Sequence, residues 1–381
     1  MKTEAEAVGK KMRFVIVGSG WRARSYVRIA KVLPEKFTLC AMLCRTKEKA
    51  DKIAEELDIY TTTSILECRE MNPDFVVVAV SKASIAQVSM EWMSYGFTVL
   101  CETPASLEVS VLEALWEAHK KGGRLVVAEQ YAKRPLYGAM LSVVKSGLLG
   151  EPDCVNLSLA HEYHGARLLR NFLQVDIETA FAVSAKTYLF KTVETLSRYE
   201  RFTDGRTADK KRTVATFEFA DGKVAWYDFD SEQYRSPIRK NYVKVQGCKG
   251  ELVNNSVFYL DDDFLPRQGE LAVTEQMTET ESENPNLQTI REVERITFKQ
   301  DSGEETILYE APFGLCHLKE DDVAVAQLMI EAAEYTKACT YIEEAESALR
   351  EALQDCYMAI LMKQAVDTGK TIESKKQIWQ E

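Results

Sequence analysis

Short apolar runs alternate with amphipathic segments over the first third of the chain. Segments such as Lys47–Leu57 and Ile85–Tyr95 repeat apolar residues at the spacing of a helix. Between the helical segments lie apolar runs of strand length: Arg13–Val17, Phe37–Cys44, Phe75–Val80, Thr98–Cys101 and Arg124–Ala128. Alternation of this kind is typical of a parallel sheet with helices on both faces. The pattern therefore predicts an α/β domain over residues 12–130.

The alternation stops near residue 150. Apolar runs then follow one another with no helix between them: Cys154–Ala160, Thr213–Phe219, Val224–Phe229, Tyr242–Gln246, Ser256–Leu260, Arg295–Phe298 and Glu305–Tyr309. Gly222 lies between two of these runs and predicts a hairpin turn. The acidic stretch Thr274–Asn286 holds too little apolar surface to pack, so we expect a solvated loop there.

Helical spacing returns from Asp321 to about Val366, and Gly369 is expected to end the last helix. The chain is thus predicted to be α/β plus α+β. An α+β domain at residues 131–366, a mostly antiparallel sheet covered by helices, is predicted to follow the first domain. Residues 1–11 and 367–381 are expected to be flexible or peripheral tails.

Glycines stand directly after the first apolar run, in RFVIVGSGWRA at residues 13–23. Gly18 and Gly20 permit a tight turn and a close approach to a ligand, and Ala23 lets helix and strand pack closely. The helix that follows offers its N–H groups to a pyrophosphate. A glycine pattern alone is weak evidence, but this one follows a strand and opens a helix. It predicts a dinucleotide-binding Rossmann domain, with a purely structural turn as the alternative.

The end of the second strand indicates which nucleotide the domain binds. The sequence Leu43-Cys44-Arg45-Thr46-Lys47 has no carboxylate to accept hydrogen bonds from the adenosine ribose. A guanidinium and a hydroxyl suit a 2′-phosphate, and Arg22 and Arg24 add positive charge nearby. We therefore favour NADP(H) over NAD(H). The alternative is that Arg45 stacks on the adenine of either nucleotide.

Charge and composition exclude several other classes of function. A net charge of −11 disfavours nucleic acid as a partner. The longest apolar runs are far shorter than the roughly 20 residues that cross a bilayer, and no signal-peptide pattern opens the chain. There are nine cysteines and no Cys-x-x-Cys pair. Four of them lie in strand-like apolar runs and predict buried thiols in the cytoplasm: Cys40, Cys44, Cys101 and Cys154. The four histidines are not spaced against cysteine pairs, so no metal site is predicted.

Three further motifs occur in a recognisable order: VLCETPAS at 99–106, AEQYAKRP at 128–135 and SGLLGEP at 146–152. With the glycine loop, they resemble the Gfo/Idh/MocA family, named for glucose–fructose oxidoreductase and inositol dehydrogenase. The resemblance implies NAD(P)-dependent chemistry on a small molecule. It also implies that the β-rich second domain serves substrate binding and oligomerisation, with a homo-oligomer formed through the open face of its sheet. The candidate cofactor-binding residues are Gly18, Ser19, Gly20, Trp21, Arg22, Arg45, Thr46, Ser81 and Glu102.

The sequence departs from this family where the chemistry is expected. The family's catalytic lysine corresponds to Thr103, which supplies neither a cation nor a proton-exchanging group near neutral pH. A histidine that often lies near the nicotinamide corresponds to Ile85. Lys82 and Lys186 are possible substitutes for the missing lysine, and a surface role is at least as good an explanation for each.

In HEYHGARLLRNFL, residues 161–173, the Leu-Leu-Arg anchor places His164 on the family's histidine. The flanking carboxylates of the family are here Ala160 and Arg167. Histidine suits proton exchange because its pKa lies near the working pH, so His164 is the leading catalytic candidate, with Tyr131 beside it. Tyr163 and His161 are close enough in sequence to assist. The alternatives are a structural His164, and an Arg167 that either binds an anionic substrate group or forms a helix-surface ion pair.

These features support three hypotheses. The first is an NAD(P)-dependent oxidoreductase acting on a sugar, a polyol or a related carbonyl compound, including a conjugated or C=N substrate. The second is a glycosidase-type relative that uses bound cofactor transiently. The third is a redox-silent cofactor-binding regulatory protein, motivated by Thr103 and by the missing carboxylates.

Overall fold

The computed structural model describes residues 11–282, 284–337 and 343–381, which form two compact units. The first unit contains residues 11–130 together with 321–337 and 343–350, and the second contains the remaining described residues. The sequence-based boundaries were wrong in one respect, because part of the C-terminal helical region packs with the N-terminal domain. Arg28 donates to both carboxylate oxygens of Asp322, at 2.7 and 2.9 Å, and the Thr336 hydroxyl donates to the Asp74 carbonyl.

The first unit contains a six-stranded parallel sheet in the order β3-β2-β1-β4-β5-β6. Its strands are β1 (Met12–Val17), β2 (Phe37–Leu43), β3 (Thr61–Thr62), β4 (Phe75–Val78), β5 (Thr98–Cys101) and β6 (Arg124–Val127). The helices between them are α1 (Trp21–Val32), α2 (Lys47–Leu57), α3 (Ile65–Glu70), α4 (Ile85–Ser94) and α5 (Val109–Lys120). This strand order is that of a dinucleotide-binding Rossmann fold, so the predicted parallel sheet is confirmed.

The second unit is built on an eleven-stranded sheet with helices α6 (Pro135–Lys145) and α7 (Glu162–Leu173). Its longer strands are β7 (Pro152–Ser158), β8 (Phe181–Val193), β9 (Thr207–Phe219), β10 (Val224–Asp230), β11 (Tyr242–Gly247), β12 (Gly250–Val253), β13 (Ser256–Leu260), β14 (Pro266–Glu279), β15 (Thr289–Gln300) and β16 (Glu305–Glu310). Neighbouring strands pair antiparallel except for β7 and β10. The predicted mostly antiparallel sheet is confirmed, and Gly222, with φ +89°, forms the predicted turn between β9 and β10.

Two segments of the second unit differ from the sequence predictions. Thr274–Glu279, expected to lie in a solvated loop, is the end of β14 and pairs with β15 as a long ribbon. Backbone hydrogen bonds stabilise such a ribbon without apolar side chains, which is why composition did not reveal it. Strand β8 was not predicted at all, because lysines and threonines interrupt its apolar pattern.

The chain ends with α8 (Glu320–Lys337), α9 (Glu343–Thr368) and a short strand β17 (Ile372–Glu373) that pairs with β8. Helix α9 stops one residue before Gly369, as predicted. The residues that follow are not a flexible tail. Trp379 is fully buried and donates from Nε1 to the Gln354 side chain at 3.1 Å. A buried indole with a satisfied N–H fixes this segment in the core of the second unit.

Candidate cofactor and catalytic sites

The glycine loop lies at the carboxyl end of β1, where the strand order of the sheet reverses. Gly18 has φ +107°, and a Cβ there would lie 2.4 Å from the Ala79 carbonyl oxygen, just beyond β4. Its N–H donates to the Leu43 carbonyl at the end of β2. Only glycine fits this position, because the loop is held between two neighbouring strands. In open α/β sheets this crevice is where ligands bind.

Gly20 precedes the first turn of α1 and has a different role. A Cβ at Gly20 would meet no protein atom within 4 Å. No side chain caps α1, and its first turn holds no acidic residue. The N-terminal N–H groups of this twelve-residue helix therefore border open space, which fits a nucleotide pyrophosphate. Ser19 is half-buried in the same loop, and Trp21 begins the helix with 48% of its surface exposed.

The Arg22 side chain is held within the protein. Its Nε donates to Glu102 Oε1 at 2.7 Å, and its Nη1 donates to Asp321 Oδ2 at 2.6 Å. The Tyr26 hydroxyl donates to the same Glu102 oxygen at 2.6 Å. Burial opposes the charge of Arg22, but the two carboxylates outweigh it and raise the pKa of the guanidinium. The roles of Arg22 and Glu102 as cofactor ligands stay predictions, and both side chains already have strong protein partners.

The remaining candidate cofactor residues lie at the surface of the first unit. Arg45 is exposed, and its guanidinium makes no ion pair or hydrogen bond to the described residues. Thr46 is the N-cap of α2, where its hydroxyl accepts from the Lys49 N–H at 3.3 Å. Ser81 is exposed after β4 and bonds to the Ser84 hydroxyl at 3.2 Å. The exposed Arg45 guanidinium is thus available to an anionic group.

At two positions the chain lacks the side chain that the resemblance leads us to expect. Thr103 is half-buried directly after Glu102, and its backbone N–H is 3.4 Å from the Glu102 carboxylate. Ile85 is 1% exposed in the first turn of α4 and packs in the core. Lys82 is exposed three residues before it.

In the second unit, helix α7 approaches the sheet closely at Gly165. A Cβ at Gly165 would lie 2.6 Å from the Tyr227 ring on β10. The Tyr227 hydroxyl accepts from the Glu162 backbone N–H at 2.9 Å, and burial raises the pKa of this phenol. Glycine at this position brings the first turn of α7 against the aromatic side chains of β10.

A cluster of histidine and tyrosine side chains surrounds the start of α7. His161, the N-cap residue, has Nδ1 at 2.6 Å from the Tyr234 hydroxyl and Nε2 at 3.0 Å from the Tyr163 hydroxyl. The His161 backbone N–H also donates to Tyr234, at 3.0 Å. The Tyr131 hydroxyl donates to Tyr234 at 3.2 Å. Burial of the Tyr234 hydroxyl among these groups raises its pKa, which keeps it protonated at neutral pH.

His164 lies inside this cluster. It is 5% exposed, and its ring centroid is 4.4 Å from that of Tyr131, 4.5 Å from Tyr163 and 4.9 Å from His161. Tyr131 is also buried and has the Arg134 guanidinium over its ring at 5.3 Å. The two catalytic candidates thus lie together, and their roles stay predictions.

Arg167 participates in a buried ion-pair network rather than in an open site. Its Nε donates to Asp355 on α9 at 2.5 Å, and the fully buried Arg170 bonds to Asp355 and Glu351. Burial opposes ionisation of Glu351, but the two guanidiniums lower its pKa overall. Burial raises the pKa of Asp355. These pairs fix α7 against α9, which corresponds to the ion-pair alternative for Arg167.

Within the described part of the chain, no group of three or more His, Cys, Asp or Glu side chains is arranged to hold a metal ion. Lys186 is exposed on β8, with its Nζ over the Tyr188 ring at 5.3 Å. None of the helices among the described residues is both long and apolar enough to cross a membrane.

The strand order and the glycine loop are those of a Rossmann domain, and a mixed-sheet unit follows it. Residues 12–130 match the model of the Gfo/Idh/MocA family, described as an oxidoreductase family with an NAD-binding Rossmann fold. The match covers the first domain alone, and it agrees with the resemblance that the motifs of the sequence carry. No protein of curated function matches the chain in sequence.

Solved structures share the whole fold. An oxidoreductase from Agrobacterium radiobacter, solved with NAD+, L-tartaric acid and magnesium, is 12% identical with a TM-score of 0.63, and the match covers 96% of this chain and 98% of that one. GenD2 from gentamicin A biosynthesis, solved with NAD, is 15% identical with a TM-score of 0.63, covering 99% and 100%. A myo-inositol dehydrogenase from Corynebacterium glutamicum is 13% identical with a TM-score of 0.61, covering 96% and 100%. At these identities the likeness is one of fold.

The sequence analysis did not predict contacts between residues that are distant along the chain. Tyr234 bonds to His161 across 73 positions, and Glu102 bonds to Arg22 across 80. Tyr234 belongs to a dense aromatic stretch that begins at Trp226, but that density alone fits packing as well as chemistry. The sequence gives no signal that pairs these particular side chains.

Proposed function

We propose that the chain is an NAD(P)-dependent oxidoreductase that transfers a hydride to or from a sugar, a polyol or a related carbonyl compound. The observation that carries this proposal is the uncapped N-terminus of α1 beside the open space at Gly20. A side chain would fit there without touching the protein, so the glycine is explained by a ligand that lies close to the backbone. A nicotinamide nucleotide, when bound, supplies the hydride carrier, and the protein supplies binding, orientation and proton exchange.

The first unit would bind the nucleotide through backbone groups and a few exposed side chains. Gly18, Ser19 and Gly20 with the first turn at Trp21 would hold the pyrophosphate. Arg22 and Glu102 would support the loop as an ion pair beneath it. Ser81 and Thr46 would contact the ribose portions, which is proposed from the family resemblance.

Preference for NADP(H) is proposed from Arg45. Its exposed guanidinium has no protein partner among the described residues, and no carboxylate ends β2. A guanidinium binds a phosphate through two parallel hydrogen bonds, whereas a ribose hydroxyl offers it much less. The 2′-phosphate of NADP(H) is therefore the better partner.

The second unit would exchange the proton of the reaction. Its cluster around His164 and Tyr131 holds two histidines and several phenols, which hydrogen bonds and ring contacts join together. Groups of this kind protonate a carbonyl oxygen or an imine nitrogen once it receives a hydride. Loss of the family lysine at Thr103 leaves proton exchange to this cluster.

A nucleotide titration tests the proposal first. Wild-type protein and Arg45→Ala are titrated with NADPH and NADH by nucleotide fluorescence, after a check for nucleotide carried through purification. We expect NADPH to bind more tightly to the wild type, and Arg45→Ala to weaken NADPH about 10-fold while leaving NADH unchanged. Binding of neither nucleotide would contradict the proposal and favour a redox-silent regulatory protein.

Turnover is then measured by nucleotide absorbance with myo-inositol, D-glucose, L-tartrate, 2-cyclohexen-1-one and 1-pyrroline. The first and third probes come from the names of the structural neighbours. Consumption of nucleotide supports the oxidoreductase, whereas a substrate consumed without net nucleotide change would favour the glycosidase-type alternative.

A homo-oligomer through the C-terminal sheet is proposed from the apolar residues on that sheet. Trp226 is 45% exposed, Phe258 44% and Met277 59%. Exposed apolar residues of this size on one sheet favour association. Mass measurement in solution tests this, and a monomer at all concentrations would exclude it.

A further inference from the structure

Strand β8 lies at an edge of the eleven-stranded sheet, and only its first part has a neighbour on the outer side. There, β17 pairs with Ala182 and Val183. Past Val183, none of the strands in the described part of the chain pairs with the outer side of β8, which continues to Val193. An edge of this length presents a row of unpaired N–H and C=O groups, which is a template for a further strand.

The hydrogen bonds on the inner side show which backbone groups of β8 face outwards. The Ala180 carbonyl accepts from the Ala220 N–H, and the Glu194 N–H donates to the Arg206 carbonyl at 3.0 Å. Between these two points the register of β8 with β9 runs without a bulge. Alternate residues of an antiparallel strand bond to the same neighbour, so the even-numbered residues of β8 bond to β9. The odd-numbered residues present their N–H and C=O groups to the outer side: Thr187, Leu189, Lys191 and Val193.

The same segment carries apolar side chains that are exposed. Leu189 is 74% exposed, Tyr188 49% and Val193 43%. Large apolar side chains so close together on a surface favour association. The opposite edge of the sheet is different, because β16 has six residues and begins and ends with a glutamate, as is typical of an edge that is protected from pairing.

The sequence of this edge is complementary to itself when two copies run antiparallel. With Leu189 opposite Leu189 of a second copy, the other facing pairs are Tyr188 with Phe190, Thr187 with Lys191, and Lys186 with Thr192. Aromatic and aliphatic pairs across two strands stabilise a sheet. Outward-facing residues meet outward-facing residues in this register. About six backbone hydrogen bonds therefore join the two copies, since each such pair of residues exchanges two.

The lysines of β8 do not oppose this pairing. Lysine on an edge strand keeps another strand away when like charges meet. In the register centred on Leu189, Lys186 and Lys191 each lie opposite a threonine of the second copy. Moving the centre by one residue places Leu189 opposite Thr187 or Lys191, and its exposed side chain then has no apolar residue opposite it. The register centred on Leu189 is therefore favoured.

We propose that β8 pairs antiparallel with β8 of a second copy of this chain, about a two-fold axis at Leu189. The two eleven-stranded sheets then form one continuous sheet, and both exposed edges are used in a closed pair. This contact uses the backbone groups of an edge, so it differs from the proposed contact through the exposed face of the sheet. It does not depend on the proposed oxidoreductase function.

Sedimentation equilibrium over a range of protein concentrations tests the pairing, with circular dichroism to check that each variant folds. Leu189→Pro deletes one outward N–H in each copy and leaves the bonds to β9 in place, because proline fits an edge position whose N–H faces outwards. We expect the dissociation constant of the pair to rise at least about 10-fold. Leu189→Thr keeps the N–H and should have a smaller effect. A wild type that is monomeric throughout, or an association that Leu189→Pro leaves unchanged, would overturn the proposal.

Cross-linking tests the register without a proline. In the proposed pair the Cα atoms of the two Leu189 residues lie about 5.5 Å apart, within the range of a disulfide. Leu189→Cys should therefore form a disulfide-linked dimer under mild oxidation, above the background that the exposed Cys248 of the wild type gives. Lys191→Cys is the matched control, because the two copies of this position are about 13 Å apart along the strands. Equal cross-linking of both variants, or none in Leu189→Cys, would overturn the proposal.

Discussion

The two candidate sites of this protein are formed by different kinds of group. In the first unit the site consists mainly of backbone: a glycine with positive φ, an uncapped helix and open space beside Gly20. In the second unit it consists of side chains, with two tyrosines bonded to the ring nitrogens of His161. As proposed, the first would bind a group common to many enzymes, whereas the second would have to suit one reaction.

This difference explains where the chain keeps the pattern of the family that it resembles and where it departs from that pattern. A backbone site depends on a few glycines and tolerates variation in the side chains around it. A side-chain site changes its chemistry with each substitution, as at Thr103 and Arg167. The second site is also supported indirectly, because buried ion pairs from α9 fix the helix that carries it.

The largest expected effect comes from removing the ionic support of α7. Asp355→Asn leaves Glu351, among the described residues, as the one carboxylate that pairs with the two buried arginines of α7. One positive charge is then uncompensated, and we expect a loss of about 3–5 kcal/mol in the free energy of unfolding. Urea denaturation followed by tyrosine and tryptophan fluorescence measures it. Asp228→Asn is the control, since its pair with Arg212 is partly exposed and should contribute at most about 1 kcal/mol. Equal losses in both variants would show that burial does not distinguish the two pairs.

A smaller effect is expected at the glycine loop, where two alanine substitutions should separate folding from binding. Gly18→Ala introduces a clash with the Ala79 carbonyl and a strained φ, and should cost about 1–3 kcal/mol as well as nucleotide binding. Gly20→Ala meets no protein atom and should leave stability within about 0.5 kcal/mol. It should nevertheless weaken nucleotide binding, because the new methyl group occupies the ligand's space. Unchanged affinity in Gly20→Ala would contradict the proposed position of the pyrophosphate.

The smallest effect is expected from Lys186→Met. This lysine is exposed over Tyr188, so stability should change by less than about 0.5 kcal/mol and turnover by less than about 2-fold. Steady-state kinetics with the best probe compound checks the expectation. A loss of 10-fold or more in turnover would indicate that Lys186 replaces the lysine expected from the resemblance. Proton exchange in the second unit would then be assigned to a charged group.

The sequence predicted the first unit better than the second because the first depends on local patterns. Lys47–Leu57 was predicted as a helix with the bounds that the structure has, and the glycine loop was located by its neighbours in sequence. The prediction of a loop at Thr274–Glu279 was wrong, because the pairing of β14 with β15 leaves no trace in composition. The site of the second unit depends on Tyr234, which no local pattern associates with His161. His164, found through the resemblance, is inside the cluster, but its neighbours along the chain gave no hydrogen-bond directions.

The division of the chain between the two units also bears on how the protein is made. The N-terminal unit includes residues 321–337 and 343–350, and the sheet of the second unit gains β17 only after α9. Trp379 is fully buried in the core of that unit. During synthesis from the N-terminus, each unit therefore lacks part of its core until these later segments have emerged. Apolar surface stays exposed until then, and removing residues 370–381 should favour aggregation over folding.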